Sequence, residues 1–184
     1  MASPLLHTER LILRPPERGD LDGWAAFSAD PAAMRFLGGP IGRPEAWRSL
    51  TMSAGCWALQ GFGMFSVLLR ETGDWIGRVG PIDHVGWPAP EIGYGVLPAY
   101  QGRGYAREAV IAAAAFAFDT LHWPSIAHVI DPENAASIAV ARSVGSRLIG
   151  PTTLPPPLQT RRVDLWGQSV SEWRAKAGQN PISS

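Results

Sequence analysis

Glu91-Ile92-Gly93-Tyr94-Gly95-Val96-Leu97-Pro98-Ala99-Tyr100-Gln101-Gly102-Arg103-Gly104-Tyr105-Ala106 passes from one backbone period to another. Glu91 to Leu97 reads as a strand, and an Ala-rich run from Tyr105 to about Leu121 reads as a helix. Apolar residues surround that helix, which predicts that it is largely buried. Between the two lie Gly102 and Gly104, which let the backbone approach a ligand and take unusual dihedrals. The loop ends where the helix begins, so unpaired N–H groups point outward. With the helix dipole they favour a phosphate, and Arg103 and Arg107 add positive charge. Glycine spacing alone also fits an ordinary strand-to-helix turn. Two other phosphate loops do not fit: position 107 is Arg, which breaks G-x-G-x-x-G, and no G-K-[ST] follows.

Upstream, Met64 to Arg70 and Trp75 to Ile82 read as strands joined by the turn Thr72-Gly73-Asp74. Trp87-Pro88-Ala89-Pro90 is a second turn, so Glu91 to Leu97 completes a meander. Nearer the start, Thr8 to Arg14 alternates as a strand and Pro15-Pro16 stops it. Asp20 fits a helix N-cap ahead of Leu21, Trp24, Ala25 and Phe27. Pro44 fits the first turn of a helix running to about Leu59. Downstream, Ser125 to Ile130 is a strand, Asp131 to Asn134 a turn, and Ala135 to Val144 a helix ended by Gly145. Pro151 to Pro157 reads as a loop, Arg162 to Trp166 as the last strand, and Ser169 to Ala177 as a helix with Ser169 and Glu172 at capping-box spacing. The order is β, α, α, three β, α, β, α, β, β, α. It predicts the α/β class, an α+β mixed sheet with helices on its faces.

The 184 residues suit a single domain over 1–178, with a disordered tail over 179–184. Basic and acidic residues balance at 16 each, so no charge bias favours nucleic acid or anionic membranes. Cys56 is the only cysteine, which excludes an intrachain disulfide. The longest apolar run, Ala109 to Phe118, falls short of the roughly 20 residues that span a bilayer. Met1 to Arg10 lacks a signal-peptide core, and a soluble cytoplasmic protein is expected. His7, His84, His122 and His128 are scattered without ligand spacing, so no metal site is expected. The eight tryptophans are expected mostly in the core.

The stretch Glu91-Ile92-Gly93-Tyr94, Leu97-Pro98, Tyr100 to Ala106 and Glu108-Ala109 resembles the core of the GCN5-related N-acetyltransferases (GNAT), whose acyl-CoA signature is Q/R-x-x-G-x-G/A. Thr8-Glu9-Arg10-Leu11-Ile12-Leu13-Arg14 and Asn134-Ala135-Ala136-Ser137-Ile138 resemble its ribosomal-protein-alanine acetyltransferase-like (RimJ/RimL) branch. The blocks run in order over about residues 5 to 174. The resemblance implies a central, mostly antiparallel twisted sheet. The strands ending at Val96–Leu97 and near Ile130, the fold's fourth and fifth, would splay apart.

It further implies acetyl-CoA as acyl donor, no metal, and an amine acceptor. Gln101, Gly102, Arg103, Gly104, Tyr105 and Ala106 would hold the CoA pyrophosphate. Val96 and Leu97 would offer main-chain groups to the pantetheine arm, Asn134 would touch that arm, and Ser137 would lie near the sulfur. A homodimer fits the family, though no residue here specifies one. The reaction would be direct attack of a neutral amine on the thioester, helped by a base and by a backbone N–H at the splayed strand.

Glu91 is the candidate base because it opens the strand leading into the site; a surface carboxylate at a strand edge is the other reading. Asp83 and His84 close the preceding strand, as assistants or as a solvated turn. Asp20 and Asp22 read as helix-start acids. Many relatives carry a proton-donating Tyr where Ala141 stands, and a Phe where Ser146 stands. Ser137 is the candidate substitute donor or orients the sulfur. Some aromatic residues between Met34 and Trp57 could line the acceptor pocket. Two alternatives remain: a catalytically weak CoA-binding or regulatory protein of the same fold, and a Trp-rich interaction protein.

Overall fold

Residues 4–179 are described by a computed structural model. Two short strands, β1 (Leu6–His7) and β2 (Leu11–Arg14), replace the single strand expected over Thr8 to Arg14. The chain turns at Thr8, whose Oγ1 accepts the Leu11 N–H at 2.9 Å while its own N–H donates to Leu11 O at 3.0 Å. That turn pairs Leu6 with Leu13.

A 3-10 turn at Arg18–Asp20 leads into α1 (Leu21–Ala29). A separate short helix that sequence reading did not foresee, α2 (Pro31–Met34), follows; Asp30 caps it by accepting the Ala33 N–H at 2.8 Å. Next come α3 (Arg43–Gln60), β3 (Phe65–Leu69), β4 (Trp75–Ile82), β5 (Glu91–Val96) and α4 (Tyr105–Asp119). The last elements are β6 (Ser125–Ile130), α5 (Ala135–Val144), β7 (Arg147–Thr152), β8 (Val163–Ser169) and α6 (Val170–Gln179).

The strands form one sheet in the order β1-β2-β3-β4-β5-β6-β8-β7. Pairing is antiparallel at β1–β2, β2–β3, β3–β4, β6–β8 and β7–β8, and parallel at β5–β6. The mixed α/β architecture, a mostly antiparallel sheet flanked by helices, is the one expected. The start of the Pro151–Pro157 loop is strand instead: β7 carries Pro151 opposite Asp164 on an edge strand, where proline is tolerated. The expected capping box of α6 is present, with Glu172 Oε2 accepting the Ser169 N–H at 2.8 Å. Helix α6 runs through Gln179, past the expected end; residues 180–184 of the expected tail lie outside the described residues.

The chain folds as two compact units, Met1–Pro81 with Gly93–Ala113, and Ile82–Ile92 with Ala114–Ser184. In the first, Trp24, Ala46 and Leu50 join α1 to α3, with Leu21, Ala25 and Trp75 packed against them. In the second, Ile130, Ala141 and Trp166 form a cluster with Ile138. Only Trp24 and Trp166 among the tryptophans are fully buried, and Trp47 is exposed, so the expectation of a mostly buried set is corrected. The indole N–H explains part of this, because it draws the ring toward polar partners such as Met64 O for Trp57 and Ser66 Oγ for Trp75. The expected burial of α4 holds: Ala109, Val110, Ala113, Ala114, Phe116, Ala117 and Phe118 are all buried.

Asp20 stands at the N-cap of α1 but does not cap that helix. Its buried carboxylate pairs with both Arg14 Nη atoms at 2.7 and 2.8 Å and accepts from Ser66 Oγ at 2.7 Å and Glu17 N at 2.8 Å. Burial works to raise its pKa. Bonds from Arg14, the Glu17 N–H and Ser66 outweigh it and hold the group below the ordinary carboxylate value.

Candidate active site

In the first unit, Gly102 and Gly104 have φ of 73° and 81°, the left-handed region that glycine supports. No atom lies within 4 Å of a Cβ placed at Gly102. Gln101, Gly102, Arg103 and Gly104 are exposed, and Gly104 O accepts the Glu108 N–H at 3.0 Å, so α4 starts immediately after the loop. The first N–H groups of α4 have no partner inside the helix, whose positive end therefore faces the loop.

The loop is braced from the chain start. Arg10 Nε and Nη2 both lie 2.7 Å from Glu108 Oε2, and Thr8 Oγ1 and Arg10 N donate to Oε1 at 2.6 and 2.9 Å. Arg10 Nη1 donates to Arg103 O at 3.0 Å, and the Arg10 guanidinium lies 4.4 Å from the Tyr105 ring centre. Burial opposes ionisation of Glu108, but these donors prevail and its pKa is lowered. The Thr8–Arg14 block thus does more than form a strand: it clamps the first turn of α4.

At the end of β5, Leu97 N–H donates to Ile76 O and Leu97 O accepts from Tyr100 N, both at 2.9 Å. The Leu97 N–H is therefore engaged with β4, while Leu97 O keeps a second lone pair. Main-chain groups alternate in direction along a strand, so the Val96 N–H points away from β4. Val96 O accepts the Gln101 side chain at 3.0 Å, which ties the glycine loop to the strand.

In the second unit, β5 and β6 pair at Glu91↔Ala127, and Ala127 N–H donates to Pro90 O at 2.8 Å. A regular parallel ladder would next join Val129 N–H to Ile92 O. Instead Glu91 Oε1 accepts the Val129 N–H at 3.1 Å, and His128 Nδ1 bonds Ile92 O at 2.8 Å. Two side chains replace one ladder bond, so neither the Val129 N–H nor the Ile92 carbonyl is left orphaned. A carbonyl only accepts, so Nδ1 carries the proton and Nε2 accepts from Ser146 Oγ at 3.1 Å. Gln168 Nε2 in turn donates to Ser146 Oγ at 3.2 Å.

Glu91 is only 6% exposed, which removes the surface-carboxylate reading. Burial pushes its pKa up to about 7, against the opposing bonds from Trp87 Nε1 at 2.7 Å and Val129 N–H. A carboxyl tuned near neutrality exchanges a proton readily at neutral pH. His128 is 1% exposed, and burial pulls its pKa down to about 4, so it stays neutral. Sequence reading missed His128. The available signal was a lone polar side chain inside the apolar strand run Ile126 to Ile130.

The acetyltransferase (GNAT) domain model matches residues 10–147. The chain is 32% identical over 143 residues to the uncharacterized N-acetyltransferase p20 of Bacillus licheniformis, covering 76% of this chain and 80% of that protein. The chain belongs to the GNAT acetyltransferase family. It resembles the acetyltransferase structure from Agrobacterium tumefaciens strain C58 at TM-score 0.78 and 32% identity, over 91% of this chain and 95% of that one. A ribosomal-protein-S5-alanine acetyltransferase from Vibrio fischeri shares the fold at TM-score 0.68 and 19% identity, over 92% and 98% of the two chains. Acetyl transfer is general for this GNAT fold, and the family generally uses acetyl-CoA.

The departures from the GNAT pattern also have places. Ala141 is fully buried against Ile130 and Trp166, so the position where the resemblance implied a Tyr in relatives belongs to the core here. Ser146, at the position where the resemblance implied a Phe in relatives, has a hydroxyl that links His128 to Gln168. Asn134 caps α5 by accepting the Ser137 N–H at 3.1 Å, which brings both residues to one helix end. Among the described residues, no group of three His, Cys, Asp or Glu side chains could hold a metal, and no helix is long and apolar enough to cross a membrane.

Proposed function

We propose that this GNAT protein moves an acetyl group from acetyl-CoA to a primary amine, a protein N-terminus or a small-molecule amine, by direct attack in a ternary complex. The observation that carries the reading is the Gln101–Ala106 segment: an exposed Gln101–Gly104 loop with two left-handed glycines, running into the open N-terminus of α4 at Tyr105 and Ala106. That cradle suits a pyrophosphate, because backbone N–H groups reach it without side-chain bulk. Acetyl-CoA supplies, when bound, an acetyl group activated as a thioester. The outward N–H of Val96 is the donor for the pantetheine arm or the acyl oxygen, and Asn134 and Ser137 stand for the arm and the sulfur. Placement in the ribosomal-protein-alanine acetyltransferase-like branch rests on the Thr8–Arg14 and Asn134–Ile138 blocks.

Glu91 is the base. Its carboxylate, with one donor on each oxygen, keeps lone pairs for a proton delivered through water. It takes the proton that the amine gives up as nitrogen bonds to the acetyl carbon and the carbon–sulfur bond breaks. With Ala141 in the core, Ser137 or solvent protonates the leaving thiolate.

Calorimetric titration with acetyl-CoA, with adenosine diphosphate as the comparison, tests the reading. Saturable binding of acetyl-CoA, clearly tighter than the nucleotide, is expected; no binding by the folded protein would overturn it. Gly104→Asp should weaken acetyl-CoA binding at least about tenfold, or ~1.4 kcal/mol, by placing bulk and negative charge beside phosphate. Wild-type affinity in a folded variant would remove the pyrophosphate from this loop.

A further inference from the structure

Arg78 lies mid-way along β4, opposite Ser66 of β3, and is half-buried. Its guanidinium carbon sits 5.1 Å from the Trp24 ring centre and 5.2 Å from that of Phe27. A guanidinium has five N–H donors, and its bond to Ser49 Oγ is long, at 3.4 Å. Ser49 Oγ is shared with Trp24 Nε1, also at 3.4 Å. No described carboxylate lies within ion-pair distance of Arg78. Asp20, which bonds the opposing Ser66, is already held by Arg14. Burial lowers the Arg78 pKa to about 10, so the group remains charged at neutral pH.

A half-buried cation without a counter-charge is costly, and a fold retains one more readily when a ligand completes it. The position connects to β5 through one ring. Phe27 Cζ lies 2.6 Å from where a Cβ of Gly95 would stand, so Gly95 makes room for Phe27 on the strand that carries Val96. Arg78 is therefore one aromatic ring from the strand end that serves the acyl group.

We propose that Arg78 receives a carboxylate of the acceptor, so that the acceptor is an amine carrying its own carboxylate. This rests on the reading of Val96 and the Gln101–Ala106 loop as the acetyl-CoA site. The planar guanidinium matches a carboxylate through two parallel N–H···O bonds, and Trp24 and Phe27 hold that plane in place.

The test uses amino acids paired with their carboxamides, which differ at one group. In wild type, kcat/KM should favour the carboxylate member at least tenfold for the best pair. Arg78→Met should bring that ratio near one with the KM for acetyl-CoA unchanged, and Arg78→Lys should retain part of the preference. A wild-type ratio near one across the pairs, or a preference that survives Arg78→Met, overturns the proposal. So does a protein that binds acetyl-CoA but acetylates neither member of any pair. Failure to bind acetyl-CoA sinks the cofactor reading separately. Equilibrium binding of the same pairs then decides Arg78, with equal or absent binding counting against it.

Discussion

Glu91→Gln is expected to lower kcat about a hundredfold, at the lower end of what a positioned base contributes, while leaving acetyl-CoA affinity unchanged. Glutamine keeps the side-chain shape and an oxygen for the Val129 N–H, but it cannot take a proton. With the Glu91 pKa at about 7, wild-type turnover should fall as pH drops through neutrality, and the variant should lose that limb. Full activity in Glu91→Gln across pH would remove Glu91 as the base.

The same group carries a stability signature. Its folded pKa, about 7, exceeds its ordinary value of 4.5, so the folded state binds more protons across that window and stability falls as pH rises through it. His128 acts in the opposite direction. Its folded pKa is about 4 against 6.5, so the unfolded state binds more protons and stability rises with pH between those values. The two slopes oppose each other between pH 4.5 and 6.5, and Glu91→Gln leaves only the rising one. Urea midpoints measured across that range should therefore climb more steeply with pH in the variant. Parallel curves for wild type and variant would show that Glu91 ionises as it does in the unfolded chain.

Gly77→Ala is expected to cost about 3 kcal/mol, the upper range for overpacking, and to lower Tm by roughly 6–12 °C for a domain of this size. The added Cβ would stand 2.3 Å from Gly95 O and 3.0 Å from Val96 Cα. Both are backbone atoms of β5 and cannot rotate aside. Strand β5 would have to move, straining the neighbouring Leu97 N–H bond to Ile76 O and shifting the outward Val96 N–H. Binding of acetyl-CoA should weaken along with stability. Gly102→Ala is the contrasting control: it meets open space, and only its left-handed backbone costs anything, about 1–2 kcal/mol. Equal unfolding midpoints for Gly77→Ala and wild type would show that β4 and β5 are less closely packed.

Local signals carried far along this chain. Ser125–Ile130 and Ala135–Val144 form the strand and helix that period and turn residues mark out, and Gly145 ends the helix at φ 104°. The Gln101–Ala106 loop was equally legible, because left-handed glycines before a helix are a local requirement. Thr8 also bends the chain locally, but a run of alternating residues hides a two-strand turn.

What stayed illegible depends on residues far apart in sequence. Asp20 has the look of a cap, yet Arg14 and Ser66 claim its carboxylate across the sheet face. Glu91 can be assigned to a strand start from sequence. Its burial exists only once distant segments pack over it, and that burial raises its pKa to about 7 against the lowering bonds from Trp87 and Val129. His128 looks like a stray histidine until Ile92 O and Ser146 are found at its two nitrogens. Sequence alone determined most of the order of elements, though not α2 or the split between β1 and β2, and it determined the glycine loop and the family. Tertiary structure decided which polar groups are buried, which of them satisfy one another, and that Arg78 has no carboxylate at ion-pair distance among the described residues. Period and turn chemistry act over a few residues, whereas desolvation and charge pairing arise only when distant segments pack together.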